Sequence, residues 1–424
     1  MSSSSSILFY SFTLFPVLIC SVSINILAPK RGFSAAFHRD HHTGSHSDSN
    51  NEANPPTPQL QQAYIVLQAW KNAIQSDPGK FLSNWVGPDV CSYTGVYCAP
   101  APYNETLQVV AGIDFNNASL TGTLPEELGL LSDLTLIHLN SNGFSGVLPT
   151  SLSNLNLLYE LDLSNNHFSG PFPSVILSLP ALHYLDLRFN EFQGPVPPQL
   201  FTKGLDAIIL NDNNFTGSLP PAFNGNSPSV IVLANNNFGG CLPPSIANFS
   251  NSLDELLFSN NKFSGCIPPE IGHHYELIVL DVSYNYIVGP VPKSIAGLVH
   301  LEQLNLAHNT LIGTIPVGIC ALPKLANLAI SYNFFFEEEG ICQNLTSKGI
   351  AFDNSWNCIP DRVKQRTWNE CQDLKQHKVD CSKVQCGGSV GGSAFPCPLV
   401  TVPATAAAAA LVLSNAPVKC EIRM

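Results

Sequence analysis

The sequence predicts an α/β repeat solenoid, in which short turns of chain stack on one another along an axis. The main observation is one pattern, L-x-x-L-x-L-x-x-N-x-F-x-G-x-L-P, which recurs along most of the chain. Its asparagine returns every 23 to 25 residues, and Ala118 takes its place in a first, divergent turn: Asn142, Asn166, Asn190, Asn213, Asn236, Asn261, Asn285, Asn309 and Asn333. Because no turn of this length can bury its apolar side alone, about ten turns in register indicate a continuous stack.

The turn that ends at Asn166 shows why the pattern has this form. Leu161 and Leu163 flank Asp162 in a short predicted strand, so both leucines point inward and Asp162 points to the opposite face. We expect the asparagine amide to be buried, where it satisfies backbone groups of neighbouring turns, and Phe168 to fill the inner corner. This arrangement is the leucine-rich repeat, and it predicts a right-handed horseshoe with a concave face of parallel strands.

The chain before the repeats divides into three predicted segments. Residues 1–23 have the apolar core and following small residues of a signal peptide. Residues 24–58 form an arm rich in His and Ser, too polar to pack, which we expect to be disordered. Residues 59–106 are expected to cap the array with an amphipathic helix from Gln59 to Ser76 and a loop between Cys91 and Cys98. The repeats then occupy residues 107–341.

The segments after the repeats are a Cys-rich cap and a tail. We expect the cap to span residues 342–386, and residues 387–424 to form a flexible tail rich in Gly and Ala. The tail contains an apolar run from Ala406 to Val412. A membrane helix, which Pro403 would interrupt, and a glycolipid-anchor signal remain open alternatives for this run.

The cysteines predict disulfides that staple both caps. Of 13 cysteines, Cys20 lies in the leader, which leaves an even number for an oxidising compartment. Cys241 and Cys266 each follow the asparagine of consecutive turns by five residues, and adjacent strands lie about 4.8 Å apart, so we expect these two to be bonded. Further bonds are expected between Cys91 and Cys98 and between Cys320 and Cys342, while the pairing of four cap cysteines stays open: Cys358, Cys371, Cys381 and Cys386.

Composition and motifs favour a binding protein over an enzyme. The net charge of −12, from 19 basic and 31 acidic residues, disfavours nucleic acid and favours a cationic peptide or protein as partner. The sequence has no phosphate loop, dinucleotide fingerprint or nucleophile elbow, so we expect no catalytic residue, cofactor, small-molecule substrate or metal site. Glycosylation sequons fit a secretory route and occur at Asn104, Asn117, Asn214, Asn248 and Asn344.

Several specific stretches of the cap and repeats resemble the plant leucine-rich repeat extensin family. They are residues 84–98 (NWVGPDVCSYTGVYC), 112–116 (GIDFN), 124–131 (LPEELGLL), 185–192 (LDLRFNEF), 233–241 (LANNNFGGC) and 379–383 (VDCSK). The resemblance implies a cell-wall protein whose repeats bind basic, Cys-rich signalling peptides, the rapid alkalinisation factors, and influence wall expansion. It also implies dimers and contact with cell-wall polymers. No Ser-Pro-Pro-Pro-Pro block follows Cys386, so the chain resembles a tailless or truncated member.

The candidate binding residues follow from the register of the strands. Residues six, four and two positions before each repeat asparagine, or directly beside these, should line the concave face. There, carboxylates interleave with aromatic rings, which suits a basic peptide with exposed apolar side chains. The candidates are His138, Glu160, Asp162, Tyr184, Asp186, Arg188, Asp212, Glu255, Asp281, Tyr284 and Tyr332, with an apolar patch of Ile209, Val232 and Leu257 at mid-arc. A merely solvated acidic face is the alternative interpretation.

Two other binding functions fit a secreted solenoid of this size. One is a defence protein of the polygalacturonase-inhibitor type, whose partner would be a pathogen pectinase. The other is the ectodomain of a receptor-like protein, which would need a membrane span.

Overall fold

The computed structural model describes residues 57–221, 223, 228–249, 252–375 and 379–382. The predicted signal peptide, His/Ser-rich arm and C-terminal tail lie outside these residues, apart from Thr57 and Pro58, and so does Cys386. The described residues contain no helix that is long and apolar enough to cross a membrane.

Two sheets run along the stack of turns in the described part of the chain. The first, here called the leucine sheet, has 12 strands: β2 (Val96–Ala101), β3 (Asn104–Asp114), β5 (Leu136–His138), β7 (Glu160–Asp162), β9 (Tyr184–Asp186), β11 (Ala207–Ile209), β13 (Val230–Val232), β15 (Glu255–Leu257), β17 (Val279–Asp281), β19 (Gln303–Asn305), β21 (Asn327–Ala329) and β23 (Ala351–Asp353). From β3 onward, each of its strands pairs in parallel with that of the next turn.

The second, here called the flank sheet, follows the asparagine of each turn. It has 11 strands among the described residues: β1 (Ile74–Ser76), β4 (Thr121–Gly122), β6 (Gly143–Gly146), β8 (His167–Pro171), β10 (Glu191–Pro195), β12 (Asn214–Ser218), β14 (Asn237–Cys241), β16 (Lys262–Gly265), β18 (Tyr286–Gly289), β20 (Thr310–Ile315) and β22 (Phe334–Glu338).

Short helices complete the turns. The α-helices are α1 (Pro58–Ala73), α2 (Val317–Cys320) and α3 (Trp368–Lys375). Single turns of 3-10 helix lie between the flank strand of one turn and the leucine strand of the next, at Glu126–Leu130, Thr150–Asn154, Ser174–Ser178, Pro198–Thr202, Pro244–Phe249, Pro269–His273 and Lys293–Gly297. The leucine-rich-repeat solenoid that the sequence predicts is therefore confirmed.

Helix α1 caps the first turn with its apolar side. The Thr57 hydroxyl accepts a hydrogen bond from the Leu60 amide, and Pro58 begins the helix, where its missing N–H costs nothing. Trp70 is completely buried, and its ring centroid lies 4.9 Å from that of Phe115. The helix ends at Ala73 rather than at the expected Ser76, because residues 74–76 leave it to pair with β4 of the first turn.

The asparagine column holds neighbouring turns together, as the sequence predicts. The Asn190 side-chain amide donates to the carbonyls of Leu187 and Arg188 at 3.2 Å and to that of Leu163, one turn back, at 2.9 Å. Its Oδ1 accepts the Phe168 amide of the preceding turn at 2.9 Å. The asparagine thus bonds to backbone groups of its own turn and of the preceding one, so the pattern requires a side chain that both donates and accepts.

The phenylalanines of the pattern form a buried column beside the asparagines. The rings of Phe168 and Phe192 are nearly parallel, with centroids 6.5 Å apart, and the contact repeats between Phe192 and Phe215 at 6.0 Å. Burial of one such ring stabilises the fold by about 2 kcal/mol. The stack therefore draws its stability from repeated contacts between neighbouring turns.

One turn extends beyond the predicted end of the repeats. Asn357 bonds as its predecessors do: its amide donates to Ile330 O at 2.9 Å, and its Oδ1 accepts the Phe335 amide at 3.1 Å. The strand of this turn, β23, lacks the leucine pair, which is why the sequence pattern misses it. Residues 342–357 thus include a repeat turn rather than a cap alone.

The disulfides confirm two predicted bonds and correct a third. Cys91 is bonded to Cys98 and Cys320 to Cys342, as expected. In the C-terminal region Cys358 is bonded to Cys371. Cys266 is bonded to Cys381, so the predicted Cys241–Cys266 bond is wrong; Cys241 is in a disulfide of its own.

The register of the flank sheet explains this error. Cys241 pairs across the ladder with Ser264 and not with Cys266, two residues further along. A displacement of two residues along the strand and one strand across separates the two α-carbons by about 8 Å, beyond the reach of a disulfide. The counts from asparagine to cysteine are equal, but the flank sheet is offset relative to the asparagine column.

Candidate binding face

The outward face of the leucine sheet, here called the open face, carries most of the predicted binding residues. Leu161 is completely buried, whereas Glu160 and Asp162 on either side of it are partly exposed. The same alternation places Tyr184 on this face beside Glu160, and Asp186 beside Asp162. The strands thus bring these candidates together, as the pattern predicts.

The first turns form an acidic patch on the open face. Asp114, His138, Asp162 and Asp186 follow one another in register across four adjacent strands. Neighbouring strands lie about 4.8 Å apart, so this row extends over about 14 Å. Glu160 lies on the same strand and the same face as Asp162, two residues before it. We use the name acidic patch for these five residues.

Asp186 is the most deeply placed member of the patch. Its side chain is completely buried, its Oδ2 lies 3.1 Å from Arg188 Nε, and the Tyr184 hydroxyl donates to it at 3.4 Å. Burial, together with the charge of Asp162, raises the pKa of Asp186 to about 7, although Arg188 opposes this shift. Asp186 therefore lies on the open face, where the pattern predicts it, but Tyr184 and Arg188 lie against its carboxyl group.

The histidine of the patch is paired with a carboxylate. His138 Nε2 lies 3.0 Å from Glu160 Oε2. Burial lowers the pKa of His138, but the hydrogen bond and negative charge of Glu160 outweigh burial and raise it above its usual value. Asp162 accepts from the Ser164 amide and hydroxyl at 2.9 and 2.5 Å. These bonds fix the side chains before any ligand arrives.

An apolar patch adjoins the acidic patch. Ala207, Ile209, Val232, Leu257 and Val279 pack into one cluster separate from the main core, with Tyr184 at its margin. The sequence predicts three of these residues. Asp186 and Ile209 are direct neighbours across the ladder, so the two patches are continuous.

The carboxylates of the later turns lie on the far side of the apolar patch. Ile209, Val232 and Leu257 separate Asp186 from Asp281 in one row, a distance of about 19 Å at the usual strand spacing. Asp281 is only 7% exposed and accepts from the Ser283 hydroxyl at 2.6 Å. Burial raises the pKa of Asp281. Asp281 therefore does not join the acidic patch.

Glu255 lies on β15, the strand next to that of Asp281. It is paired in register with Val279. Burial and the charge of Asp254 raise the pKa of Glu255. The later turns therefore carry a smaller acidic site of their own.

The residue before each asparagine forms a second column along the edge of the open face. Asp212, Tyr284 and Tyr332 belong to it and have left-handed backbone, with φ of 55°, 52° and 54°. Asn235 donates to Asp212 at 2.9 Å, and in turn accepts from Asn260 at 2.9 Å. The middle of the column, from Asp212 to Asn260, is therefore a polar ladder.

This edge column continues as a stack of aromatic rings. The ring centroid of His308 lies 4.0 Å from that of Tyr284 and 4.1 Å from that of Tyr332. The ring of Trp356 lies against the other side of Tyr332, with centroids 5.5 Å apart. Burial between the rings lowers the pKa of His308 to about 4. The sequence analysis missed Trp356 because its turn lacks the leucine pair, although it also stands directly before an asparagine.

The predicted glycosylation sites occupy exposed positions. Each sequon asparagine has an exposed side chain: Asn104, Asn117, Asn214, Asn248 and Asn344. The Asn248 amide donates to Phe223 O at 2.7 Å, and a glycan on this nitrogen would leave it one N–H for this bond. Asn117 stands in the edge column of the first turn. Within the described residues, no three His, Cys, Asp or Glu side chains are placed to hold a metal ion.

Comparison with known proteins agrees with the repeats and the cap. The leucine rich repeat N-terminal domain model matches residues 61–99, and the Leucine Rich Repeat model matches residues 133–155, 157–179, 252–274 and 300–322. Leucine-rich repeat extensin-like protein 2 of Arabidopsis thaliana is 52% identical over 80% of this chain and 44% of its own length. Pollen-specific leucine-rich repeat extensin-like protein 3 of the same plant is 61% identical over 81% of this chain and 48% of its own length.

The repeat region belongs to the leucine-rich repeat extensin family. A third relative, pollen-specific leucine-rich repeat extensin-like protein 2 of Arabidopsis thaliana, is 68% identical over 78% of this chain and 39% of its own length. The chain thus spans less than half the length of these curated relatives.

Solved structures with the same fold include plant receptor ectodomains. The plant peptide hormone receptor RGFR1 in complex with RGF2 is 29% identical, with a TM-score of 0.51, over 59% of this chain and 44% of the receptor. The ectodomain of the Arabidopsis thaliana receptor kinase GASSHO1/SCHENGEN3, in complex with CASPARIAN STRIP INTEGRITY FACTOR 2, is 26% identical, with a TM-score of 0.57, over 70% of this chain and 37% of that one.

Proposed function

We propose that this protein is a secreted, cell-wall leucine-rich-repeat extensin that captures a basic, Cys-rich peptide of the rapid alkalinisation factor type on its open face. In this role it influences the organisation and expansion of the wall. The observation that carries the proposal is the continuity of the acidic patch with the apolar patch through Asp186 and Ile209. Asp186 and Ile209 are themselves buried at this junction. A folded cationic peptide would therefore contact the partly exposed Glu160 and Asp162 and, with its apolar side chains, the partly buried Tyr184 and Val230 at the margin of the apolar patch.

The chemistry of the acidic patch favours a cationic partner. Arg188 lies against Asp186 and is engaged there. Glu160 and Asp162 are partly exposed; His138 is paired with Glu160, and within the part of the chain that the structure describes no ion pair of Asp162 is present. The surplus of negative charge agrees with the net charge of −12 for the whole sequence.

Two further lines support a secreted peptide-binding protein. RGFR1, which shares the fold, is a plant peptide hormone receptor in complex with RGF2, and the GASSHO1/SCHENGEN3 ectodomain is in complex with CASPARIAN STRIP INTEGRITY FACTOR 2. The disulfides Cys91–Cys98, Cys320–Cys342 and Cys358–Cys371 require an oxidising compartment, which is outside the cytosol in plants. We therefore place the protein in the wall space.

The test is calorimetry with a synthetic, disulfide-folded peptide of this type and purified full chain. The double variant Glu160→Gln, Asp162→Asn removes two charges from the acidic patch without changing side-chain size. We expect its Kd to rise about 30- to 900-fold, because two interfacial charge pairs are lost and each contributes on the order of 1 to 2 kcal/mol.

The matched control removes two exposed carboxylates from the flank sheet, in Glu191→Gln, Glu337→Gln. Its affinity should equal that of the unaltered protein. Equal affinities for the control and the patch variant would refute the proposed binding face. Absence of peptide binding, together with inhibition of a fungal polygalacturonase, would favour the defence-protein alternative.

A further inference from the structure

The disulfide of Cys381 joins the end of the described chain to the middle of the stack. Cys371 is bonded to Cys358, directly after the last asparagine of the array. Ten residues further on, Cys381 is bonded to Cys266, which follows strand β16. The turns that end at Asn285, Asn309, Asn333 and Asn357 lie between these two anchor points, a distance of about 19 Å. Ten extended residues can span about 33 Å, so the segment from Cys371 to Cys381 is long enough to cover this distance.

A glycine of the flank sheet leaves room for the disulfide between Cys266 and Cys381. Gly289 of β18 has a left-handed φ of 81°, and a Cβ at this position would lie 2.7 Å from Cys381 Sγ and 2.9 Å from Cys266 Sγ. The Val379 side chain lies against the same glycine. Cys266 is only 8% exposed. The glycine thus provides the space that the bridge occupies, and the neighbouring turn covers it.

A second anchor lies on the same flank. Cys241 ends strand β14, one strand before β16, and is also disulfide-bonded. It is 7% exposed. The flank therefore holds two buried, covalently bonded cysteines in adjacent turns.

This connection changes the path of a mechanical pull. In a repeat stack each turn contacts only its neighbours, so tension applied at the last turn would peel turns off one after another. Tension from chain beyond Ser382 instead reaches Cys266 through a covalent bond. The loop that this bond closes spans 115 residues and contains the Cys320–Cys342 and Cys358–Cys371 bonds.

We propose that the flank around Cys266 and Cys241 is a tension-bearing attachment site, through which the chain after the repeats pulls on the middle of the solenoid. The four turns after Cys266 then remain folded under load, and with them the edge stack of Tyr284, His308, Tyr332 and Trp356. This role is independent of which ligand the open face binds. The partner at the other end of the tensioned chain is a solid matrix, for which the wall is the proposed location.

The test is force spectroscopy of the full chain, held by handles at its two ends under oxidising conditions. Complete unfolding should release a contour length that lacks at least the 115 residues closed off by Cys266 and Cys381. The variant Cys241→Ser, Cys266→Ser removes both flank anchors and should release at least about 28 nm more, at about 3.5 Å per residue, because the intact Cys320–Cys342 and Cys358–Cys371 bonds still hold 22 and 13 of the 115 residues closed.

The matched control is Cys320→Ser, Cys342→Ser. This pair is 22 residues apart and lies inside the closed loop, so its loss should add no length, whereas it would add about 8 nm if tension reached these turns. Full contour length from the oxidised natural chain, or the extra 8 nm in the control, would overturn the proposal.

A measurement on the unaltered protein covers the case in which a variant fails to fold. A non-reducing peptide map should contain one cross-linked peptide with Cys266 and Cys381. Finding either cysteine as a free thiol, or bonded elsewhere, would also overturn the proposal.

Discussion

The buried carboxyl of Asp186 makes the stability of the fold depend on pH in a defined direction. The pKa of this group rises from an ordinary 3.8 to about 7 in the folded protein. Between these pH values the folded state binds more protons than the unfolded chain, so the free energy of unfolding falls as pH rises. A shift of roughly 3 units corresponds to about 4 kcal/mol, lost progressively from about pH 4 to pH 7 and constant above that.

The substitution Asp186→Asn isolates this contribution. Asparagine has nearly the same shape and cannot ionise, so the difference in unfolding free energy between variant and natural protein should grow in favour of the variant by about 4 kcal/mol over this window. The groups that face Asp186 are Asp162 on β7 and Tyr184 and Arg188 of its own turn, whereas the paired residue on β11, Ile209, does not titrate.

Denaturant unfolding at a series of pH values, followed by circular dichroism, measures this difference. The exposed carboxyl of Asp89 provides the control, through Asp89→Asn. A difference curve for Asp186→Asn that stays flat from pH 4 to pH 7, or that rises in favour of the natural protein, would refute the assignment of a buried, protonated carboxyl. Since a bound cation favours the ionised form, peptide affinity should rise with pH over the same window.

Three further predictions concern the stack itself. Asn190→Ala should lower the free energy of unfolding by about 3 to 5 kcal/mol, because four buried hydrogen bonds are lost; a loss below about 1 kcal/mol in denaturant unfolding would contradict this. Gly289→Ala should prevent closure of the bridge between Cys266 and Cys381, so thiol titration should detect two accessible thiols where the natural protein has none from this pair. Trp356→Ala should cost about 1 kcal/mol through the lost ring contact, whereas Trp368→Ala, at a residue 72% exposed, should change little; equal effects in thermal unfolding would count against the stack.

The sequence is most informative where a position admits one residue type. The column of Asn166 and Asn190 could be read directly, because only an amide side chain both donates to and accepts from the backbone of adjacent turns in this way. The inward leucines and the phenylalanine column follow from that register. Helix α1 was also predictable, although its last residues join β4 for reasons that lie in another turn.

Features that depend on contacts between turns were harder to predict. The Cys241–Cys266 bond failed because the flank sheet is offset by two residues from the asparagine column, which no residue count reveals. The burial of Asp186 depends on the particular neighbours Tyr184 and Arg188. The turn that ends at Asn357 keeps its asparagine but has lost its leucine pair. In each case the deciding information lies in the packing of one turn on another.

Hydrogen–deuterium exchange of the full chain, with and without the folded basic peptide, tests the central proposal most directly. We expect slower exchange on peptide addition in and around strands β7, β9 and β11, where the acidic and apolar patches meet, and unchanged exchange in the flank strands β8, β10 and β12 of the same turns. Protection confined to the flank strands, or no change at saturating peptide, would contradict the assignment of the open face as the binding site.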